Sequence, residues 1–401
     1  MTIQQFLPRI APPGGAHLIR SDEEAIAIAT DLARDFAATA ADRDRLRQLP
    51  WAEVERFSAS GLWGITVPRA HGGAGVSTVT LARVISIIAA ADGSLGHIPQ
   101  NHFYALEILR SGGSPEQRAH YDALALQGWR FGNAVAEIGT RDFKRRTHLA
   151  DGILTGRKYY CTGALYAHIL PTLAVNEDGR QVMVFVPRDT AGVSIADDWD
   201  GFGQRVTGSG SVTFDAVRVR PDWIVPFQDS FERPTPIGPH AQIIHAAIDL
   251  GIGQGAFAAM LPYIRDRARP WLDAGVERAQ DDPLTIERTG EVAVQLRAGQ
   301  ALLDRAGGLL DAAIREATET SVAQASLAVA AARIRTTEAA LLAANRLLEL
   351  GGTSATMATD DFDRFWRNVR THSLHDPVRW KFHAIGNAVL NGVNPPRHGA
   401  I

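Results

Sequence analysis

The sequence predicts an α+β chain in which two helical regions flank a smaller antiparallel β region, and three observations carry that prediction. Apolar residues recur at helical spacing through the first third, alternating and β-branched runs take over between about Arg130 and Ile224, and helical spacing returns from Ala241 almost to the end. At 401 residues the chain is too long for one simple core. The expected division is an N-terminal helical domain over 1–129, a middle β-sandwich or barrel domain over 130–228 and a C-terminal helical, four-helix-bundle domain over 229–401.

Each element has a local cause. Ser21-Asp-Glu-Glu24 is a capping box that opens an apolar-periodic run through Phe36, and Ser114-Pro-Glu-Gln117 repeats the device with proline at the first helical position. Leu81 to Ala91 is apolar nearly all round and predicts a buried helix. The glycines of Val67-Pro-Arg-Ala-His-Gly-Gly-Ala-Gly75 predict a loop. Ile153–Cys161, Thr172–Val175, Val182–Val186 and Val212–Val219 read as strands, and Asn176-Glu-Asp-Gly179 reads as the hairpin turn between the second and third. Pro221 to Pro239 joins the sheet to the last helical region.

Composition removes several function classes. A net charge of −3 and a pI near 6.5 provide no basic field for a phosphate backbone, so nucleic acid is not an expected partner. No membrane is expected either. The Ala-rich stretch Ser321 to Leu350 is interrupted by Arg333, Arg335, Glu338, Arg346 and Glu349, and the N-terminus lacks a basic segment followed by an apolar one, so a cytoplasmic protein is expected. The single cysteine, Cys161, rules out an intramolecular disulfide and any zinc site built on Cys pairs; no metal is expected. Gly201-Phe-Gly-Gln-Arg205 and Gly251-Ile-Gly-Gln-Gly255 do not follow a strand and open a helix at the spacing of a dinucleotide loop, so no NADH site is expected.

The densest chemistry lies in Trp366-Arg-Asn-Val-Arg-Thr-His-Ser-Leu-His-Asp-Pro377, where His372, His375 and Asp376 fall within five residues. Imidazoles titrate near neutral pH and can hold or deliver a proton during turnover. A pair of histidines capping a helix end would give the same spacing, and both readings stand on these residues alone.

The motifs, in this order, resemble those of the acyl-CoA dehydrogenase superfamily over nearly the whole chain. Val67–Gly75 looks like its loop after the early helices, Gly156-Arg-Lys-Tyr-Tyr-Cys-Thr-Gly163 like its flavin-facing strand, and Gly208 to Val219 like the end of its middle domain. Tyr263-Ile-Arg-Asp-Arg-Ala-Arg-Pro-Trp271 and Leu350-Gly-Gly352 resemble its cofactor-contacting segments near the C-terminus. Two departures bear on activity. Where a dehydrogenase of the family carries a glutamate base followed by Gly-Thr, this chain has Asp376 and Pro377, and Leu348 stands where a glutamine is usual before the Gly-Gly pair. Thr371-His-Ser-Leu-His-Asp-Pro377 instead resembles the two-component reduced-flavin monooxygenases, the branch of dibenzothiophene monooxygenase. Leu95-Gly-His-Ile-Pro-Gln-Asn-His-Phe-Tyr-Ala-Leu-Glu107 is similar to the sulfur-acquisition oxidoreductases.

That resemblance implies reduced FMN, with FAD less expected, from a separate NAD(P)H:flavin reductase. It implies O2 as co-substrate, a flavin C4a-(hydro)peroxide and transfer of one oxygen to a sulfone, sulfoxide or thiophene. His375 is then the group that donates to the distal peroxide oxygen, with His372 supporting it. Thr162 meets the flavin N5 edge, Tyr160 on the same strand face packs on the ring, and Asn133 lies near the pyrimidine or the dioxygen. His97 and Asn101, one helical turn apart, face the substrate, and Trp199 belongs to a loop around the pocket. Arg267 or Arg269 reaches the cofactor phosphate across a dimer or tetramer interface, and Gly351 and Gly352 admit backbone close to it. The alternatives are an FAD-dependent dehydrogenase or oxidase with Asp376 as base, and an idle scaffold protein.

Overall fold

A computed structural model describes residues 10–139 and 144–401; the N-terminal segment read above for a signal lies outside the described residues. Seven helices come first: α1 (Asp22–Ala37), α2 (Ala40–Leu46), α3 (Trp51–Ala59), α4 (Thr78–Ala91), α5 (Gly93–His97), α6 (Gln100–Gly112) and α7 (Pro115–Leu126). Both capping devices are present, in different degrees. At α7 the Ser114 hydroxyl and the Gln117 side chain satisfy one another's backbone amides. At α1 the Ser21 hydroxyl accepts from the Glu24 amide, but the Glu24 carboxylate takes the Arg20 amide at 2.7 Å and forms half a box.

The middle is a seven-stranded sheet in the order β5-β6-β2-β1-β3-β4-β7, with β1 (His148–Ala150), β2 (Ile153–Lys158), β3 (Ile169–Val175), β4 (Gln181–Pro187), β5 (Val193–Ile195), β6 (Val212–Arg218) and β7 (Ile224–Pro226). Asn176 to Gly179 forms the expected β3–β4 turn, where the Asn176 amide donates to the Arg180 carbonyl. The sheet is not wholly antiparallel: β1 lies parallel to β3 at a single pair, His148 against Val175, so the expectation of an antiparallel domain needs that correction. β1, β5 and β7 were also unforeseen, because strands of three residues are too short to show a period. Alternation along β3 and β4 sends Leu173, Met183 and Phe185 into the core shared with the helices, and Leu170, Ala174, Val184 and Val186 into a second core inside the sheet domain. Burial of both faces is why these strands read as continuous apolar runs.

After the short α8 (Asp229–Glu232), three long helices run nearly the length of the last region: α9 (Ile237–Asp266), α10 (Pro283–Arg315) and α11 (Glu319–Gly351), followed by α12 (Asp363–His372) and α13 (Arg379–Asn391). By length and hydropathy α9 could cross a membrane, but 78% of its apolar window is buried inside the fold, which makes it the core helix of this bundle. The glycines of Gly251-Ile-Gly-Gln-Gly255 lie within it. A Cβ on Gly251 would meet the Ser86 carbonyl at 2.3 Å, one on Gly255 the Ala90 carbonyl at 2.2 Å and one on Gly253 the Ala340 Cα at 2.7 Å. Close helix packing, rather than a phosphate loop, accounts for them.

Candidate active site

Four histidines from three stretches of chain meet where α5, α9 and α12 converge. His97 ends α5, His245 lies on α9, His372 ends α12 and His375 sits in the turn that follows. One ring nitrogen from each falls within 4.8 Å of the others. The three expected here, His97, His372 and His375, come together; His245 was missed.

The hydrogen bonds fix the protons on these rings. His372 Nδ1 lies 2.5 Å from Asp249 Oδ1, so it donates there and its Nε2 carries a lone pair. That lone pair accepts from His245 Nδ1 at 3.0 Å. His97 Nδ1 is 3.1 Å from Gln204 Oε1, the acceptor end of an amide whose Nε2 donates to the Gly93 carbonyl; His97 Nε2 is therefore an acceptor, buried and without a partner. His375 Nδ1 donates to the His372 carbonyl at 3.0 Å. A carbonyl only accepts, so with this bond made the neutral ring presents a lone pair at Nε2. Desolvation pushes the pKa of all four rings down, although His375 lies at the exposed edge of the cluster, and the neighbouring rings or the Arg333 guanidinium push it further.

Beneath the cluster, Asp249 is one turn beyond His245 on α9 and accepts three hydrogen bonds, from His372, from Arg333 Nη1 at 2.5 Å and from the Thr337 hydroxyl at 2.5 Å. Burial raises the Asp249 pKa, while Arg333 and Thr337 pull against that rise. Arg333 also donates to the His245 carbonyl at 2.9 Å, so one buried cation ties α11 to α9 below the histidines.

A second set of residues surrounds the turn after β2. The strand ends at Lys158, not at Cys161, because Tyr160 takes a left-handed conformation with φ 59°. The alternation that placed Tyr160 and Thr162 on one face therefore does not apply: Tyr160 is 44% exposed, with its ring 6.1 Å from Trp199, whereas Thr162 is buried. Asn133 Nδ2 donates to the Tyr160 carbonyl at 3.2 Å and holds this turn.

The two sets are joined by Gln204, which sequence reasoning did not single out. It is buried with φ 55°, and strained backbone at a non-glycine residue costs on the order of 1–3 kcal/mol and collects at functional sites. Its carbonyl accepts from Trp199 Nε1 at 2.9 Å and from the Thr207 hydroxyl at 2.8 Å. Thr207 Oγ1 is 2.6 Å from Ser209 Oγ, itself 2.8 Å from Thr162 Oγ1. Because Thr207 spends its hydrogen on a carbonyl, Ser209 donates to Thr207 and Thr162 donates to Ser209. The Thr162 oxygen is left with lone pairs only, which fits the N5–H of a reduced flavin, a donor, and not the bare N5 of an oxidised one.

Among the described residues, the remaining expected ones make no hydrogen bond to the four histidines. Asn101 is buried in α6, and Ile98 and Pro99, which join α5 to α6, both keep right-handed helical angles. Arg267 caps α9, donates to Asp360 at 2.8 Å and lies over the Tyr263 ring; Arg269 is exposed beside it. Twenty-two residues of helical rise put Arg267 roughly 33 Å from His245. Gly351 packs against Tyr263 and Ala355, and Gly352 ends α11 with φ 67°. Asp376, the base of the alternative reading, accepts from Lys381 Nζ at 2.5 Å, and that lysine is 1% exposed and also donates to the Ala400 carbonyl. The carboxylate is engaged in a buried ion pair.

The chain is similar to known proteins over most of its length. Residues 22–128 match the acyl-CoA dehydrogenase N-terminal domain and residues 243–380 the acyl-CoA dehydrogenase C-terminal domain. Dibenzothiophene monooxygenase of Rhodococcus erythropolis is 38% identical over 396 residues, 94% of this chain and 95% of that protein. The probable FMNH2-dependent monooxygenase SfnC of Pseudomonas putida is 34% identical over 383 residues, 92% of this chain and 96% of that protein. The crystal structure of FMN-bound TdsC from Paenibacillus sp. A11-2 superposes with a TM-score of 0.90 at 35% identity, covering 94% of this chain and all of that one. A cluster of imidazoles, three buried and His375 at its exposed edge, lies beside a flavin-compatible turn, and the likeness over more than nine-tenths of the chain places the protein in the acyl-CoA dehydrogenase family, among its flavin-dependent monooxygenases.

Proposed function

We propose that the protein transfers one oxygen atom from O2 to a small organosulfur compound of the sulfone, sulfoxide or thiophene type, and so serves sulfur acquisition. The observation that carries this reading is the polarity of the site: the Thr162 oxygen offers an acceptor to a reduced flavin N5–H, and His97 and His375 offer only lone pairs on the other side of Gln204. Bound reduced FMN supplies the electrons that activate O2. Thr162, Asn133 and Tyr160 hold that cofactor; His375 presents the base, and His372, clamped by Asp249, positions it. His97, Asn101 and Trp199 border the substrate. A proton kept on Nδ1 and turned away from the reacting oxygen limits premature release of hydrogen peroxide.

The distance from His245 to the α9 terminus supports a shared site in a dimer or tetramer, in which Arg267, Arg269, Gly351 and Gly352 of one copy serve the cofactor phosphate of another. The division into domains at 130 and 228 and a cytoplasmic location belong to the same reading. FMNH2 then comes from a separate NAD(P)H:flavin reductase, since the glycines of Gly251–Gly255 pack inside a helix. The test is supply: the purified chain with NADH alone should oxidise no sulfur compound, and should do so once a flavin reductase and FMN are added. Substrate-dependent NADH consumption by the isolated chain would overturn the proposal.

A further inference from the structure

The histidine cluster has a second property that oxygen transfer does not require. Three of its rings, His97, His372 and His375, lie with centroids 4.8 to 5.1 Å apart, and each has its Nδ1–H committed outward. The partners differ in kind: a side-chain amide oxygen for His97, a buried carboxylate for His372 and a backbone carbonyl for His375. Those are the outer-shell acceptors that orient metal-binding imidazoles and make their other nitrogen more basic. All three Nε2 atoms consequently carry lone pairs, and His97 Nε2 has no partner at all. The fourth ring, His245, is within the same 4.8 Å.

We propose that the Nε2 atoms of His97, His372 and His375 form a binding site for a borderline divalent transition ion, Zn2+ or its neighbours Co2+, Ni2+ and Cu2+, with His245 closing the fourth position. Imidazole suits these ions, and four nitrogens favour a tetrahedral one. At Zn–N lengths of about 2.0–2.1 Å the nitrogens of a tetrahedron stand roughly 3.3 Å apart, so rings now within 4.8 Å need close only by side-chain rotation. His375 is on a turn and exposed, so no packed neighbour encloses its ring. His245 gives up its hydrogen bond to His372 and moves its ring proton from Nδ1 to Nε2, which frees Nδ1 as ligand. The Arg333 charge beneath is balanced by Asp249, so the ion meets no unpaired cation. A metal held here occupies the nitrogen that the proposed oxygen transfer uses at His375, so the metal-bound and turnover-competent states exclude one another.

The experiment uses the whole flavin-free chain, stripped with a chelator, and needs no turnover. Zn2+ is titrated in competition with a chromogenic chelator, and Co2+ is followed by its visible ligand-field bands. The expected result is one ion per chain, a tetrahedral Co2+ spectrum, and at least 100-fold weaker Zn2+ binding in His97→Ala and in His375→Ala. Gln204→Ala, which removes only an outer acceptor, is expected to weaken it about 10–100-fold. His383→Ala, altering an exposed histidine on α13, should leave the affinity unchanged. No binding by the folded wild-type chain, an octahedral Co2+ spectrum, or equal affinity in wild type and the His97 and His375 variants would overturn the proposal. None of those results would touch the oxygen-transfer reading, which rests on FMN and O2.

Discussion

His372 Nδ1 sits 2.5 Å from Asp249 Oδ1, and neither side chain has any solvent exposure. The pair locks the imidazole in one tautomer and one orientation, and Asp249 is held in turn by Arg333 from the opposite helix. The stability of the core and the chemistry of the site therefore share a residue.

Asp249→Ala would leave the Arg333 guanidinium buried without its counter-charge. Removing one partner of a buried ion pair costs about 3–5 kcal/mol, and the unfolding free energy from urea titration should fall by that amount. A loss below about 1 kcal/mol, the scale of a surface pair, would show that the ion pair is not formed.

Thr162→Val removes the hydroxyl at nearly constant volume. Loss of one buried hydrogen-bond partner costs about 1–3 kcal/mol, and the loss should fall on the affinity for reduced FMN much more than on that for oxidised FMN. Equal weakening of both, measured anaerobically by flavin fluorescence and ultrafiltration, would mean that Thr162 only packs.

His375→Ala should leave flavin binding largely intact while product formation drops by about 10²–10⁴, the usual yield of one positioned proton-transfer group, with the consumed oxygen appearing as hydrogen peroxide. Asp376→Asn should do less, since that carboxylate is tied to Lys381. The reverse ranking would restore the dehydrogenase alternative.

Acid should destabilise the fold well before the carboxylates titrate. His102, bonded to the Trp63 carbonyl and the Phe131 amide, has its pKa pushed down by burial to about 3, and His168 to about 4. Folded rings that stay neutral bind fewer protons than unfolded rings below pH 6.5. The stability they contribute is thus complete above that pH and is lost as pH falls toward 4 and 3, at about 1.4 kcal/mol per pH unit for each ring. Denaturant unfolding at pH 7 and pH 5 checks this; an unchanged free energy would contradict it.

The fold was legible where local pattern and burial agree: the Ser114 box, the Asn176–Gly179 hairpin and the apolar runs of β3 and β4 needed no tertiary information. The site was legible only in part. His372 and His375 share a motif, but His245, Asp249 and Gln204 are brought to the cluster by packing across stretches of more than a hundred residues, and Arg333 across 39 from His372. The spacing of His245 and Asp249, one turn apart in a mostly apolar helix, is the one signal that could have found two of them. The error at Tyr160 assumed that the strand continued through a residue where the backbone leaves it.

The most direct measurement is a single turnover. The chain is mixed anaerobically with photoreduced FMN and an organosulfur compound such as dibenzothiophene or a dialkyl sulfone, then exposed to 18O2, and the product is weighed by mass spectrometry. One 18O atom in the sulfur product, absent when oxidised FMN replaces the reduced form, is the result this account predicts. Failure to label any sulfur compound, together with anaerobic bleaching of bound flavin by an acyl thioester, would contradict it and return Asp376 to the role of base.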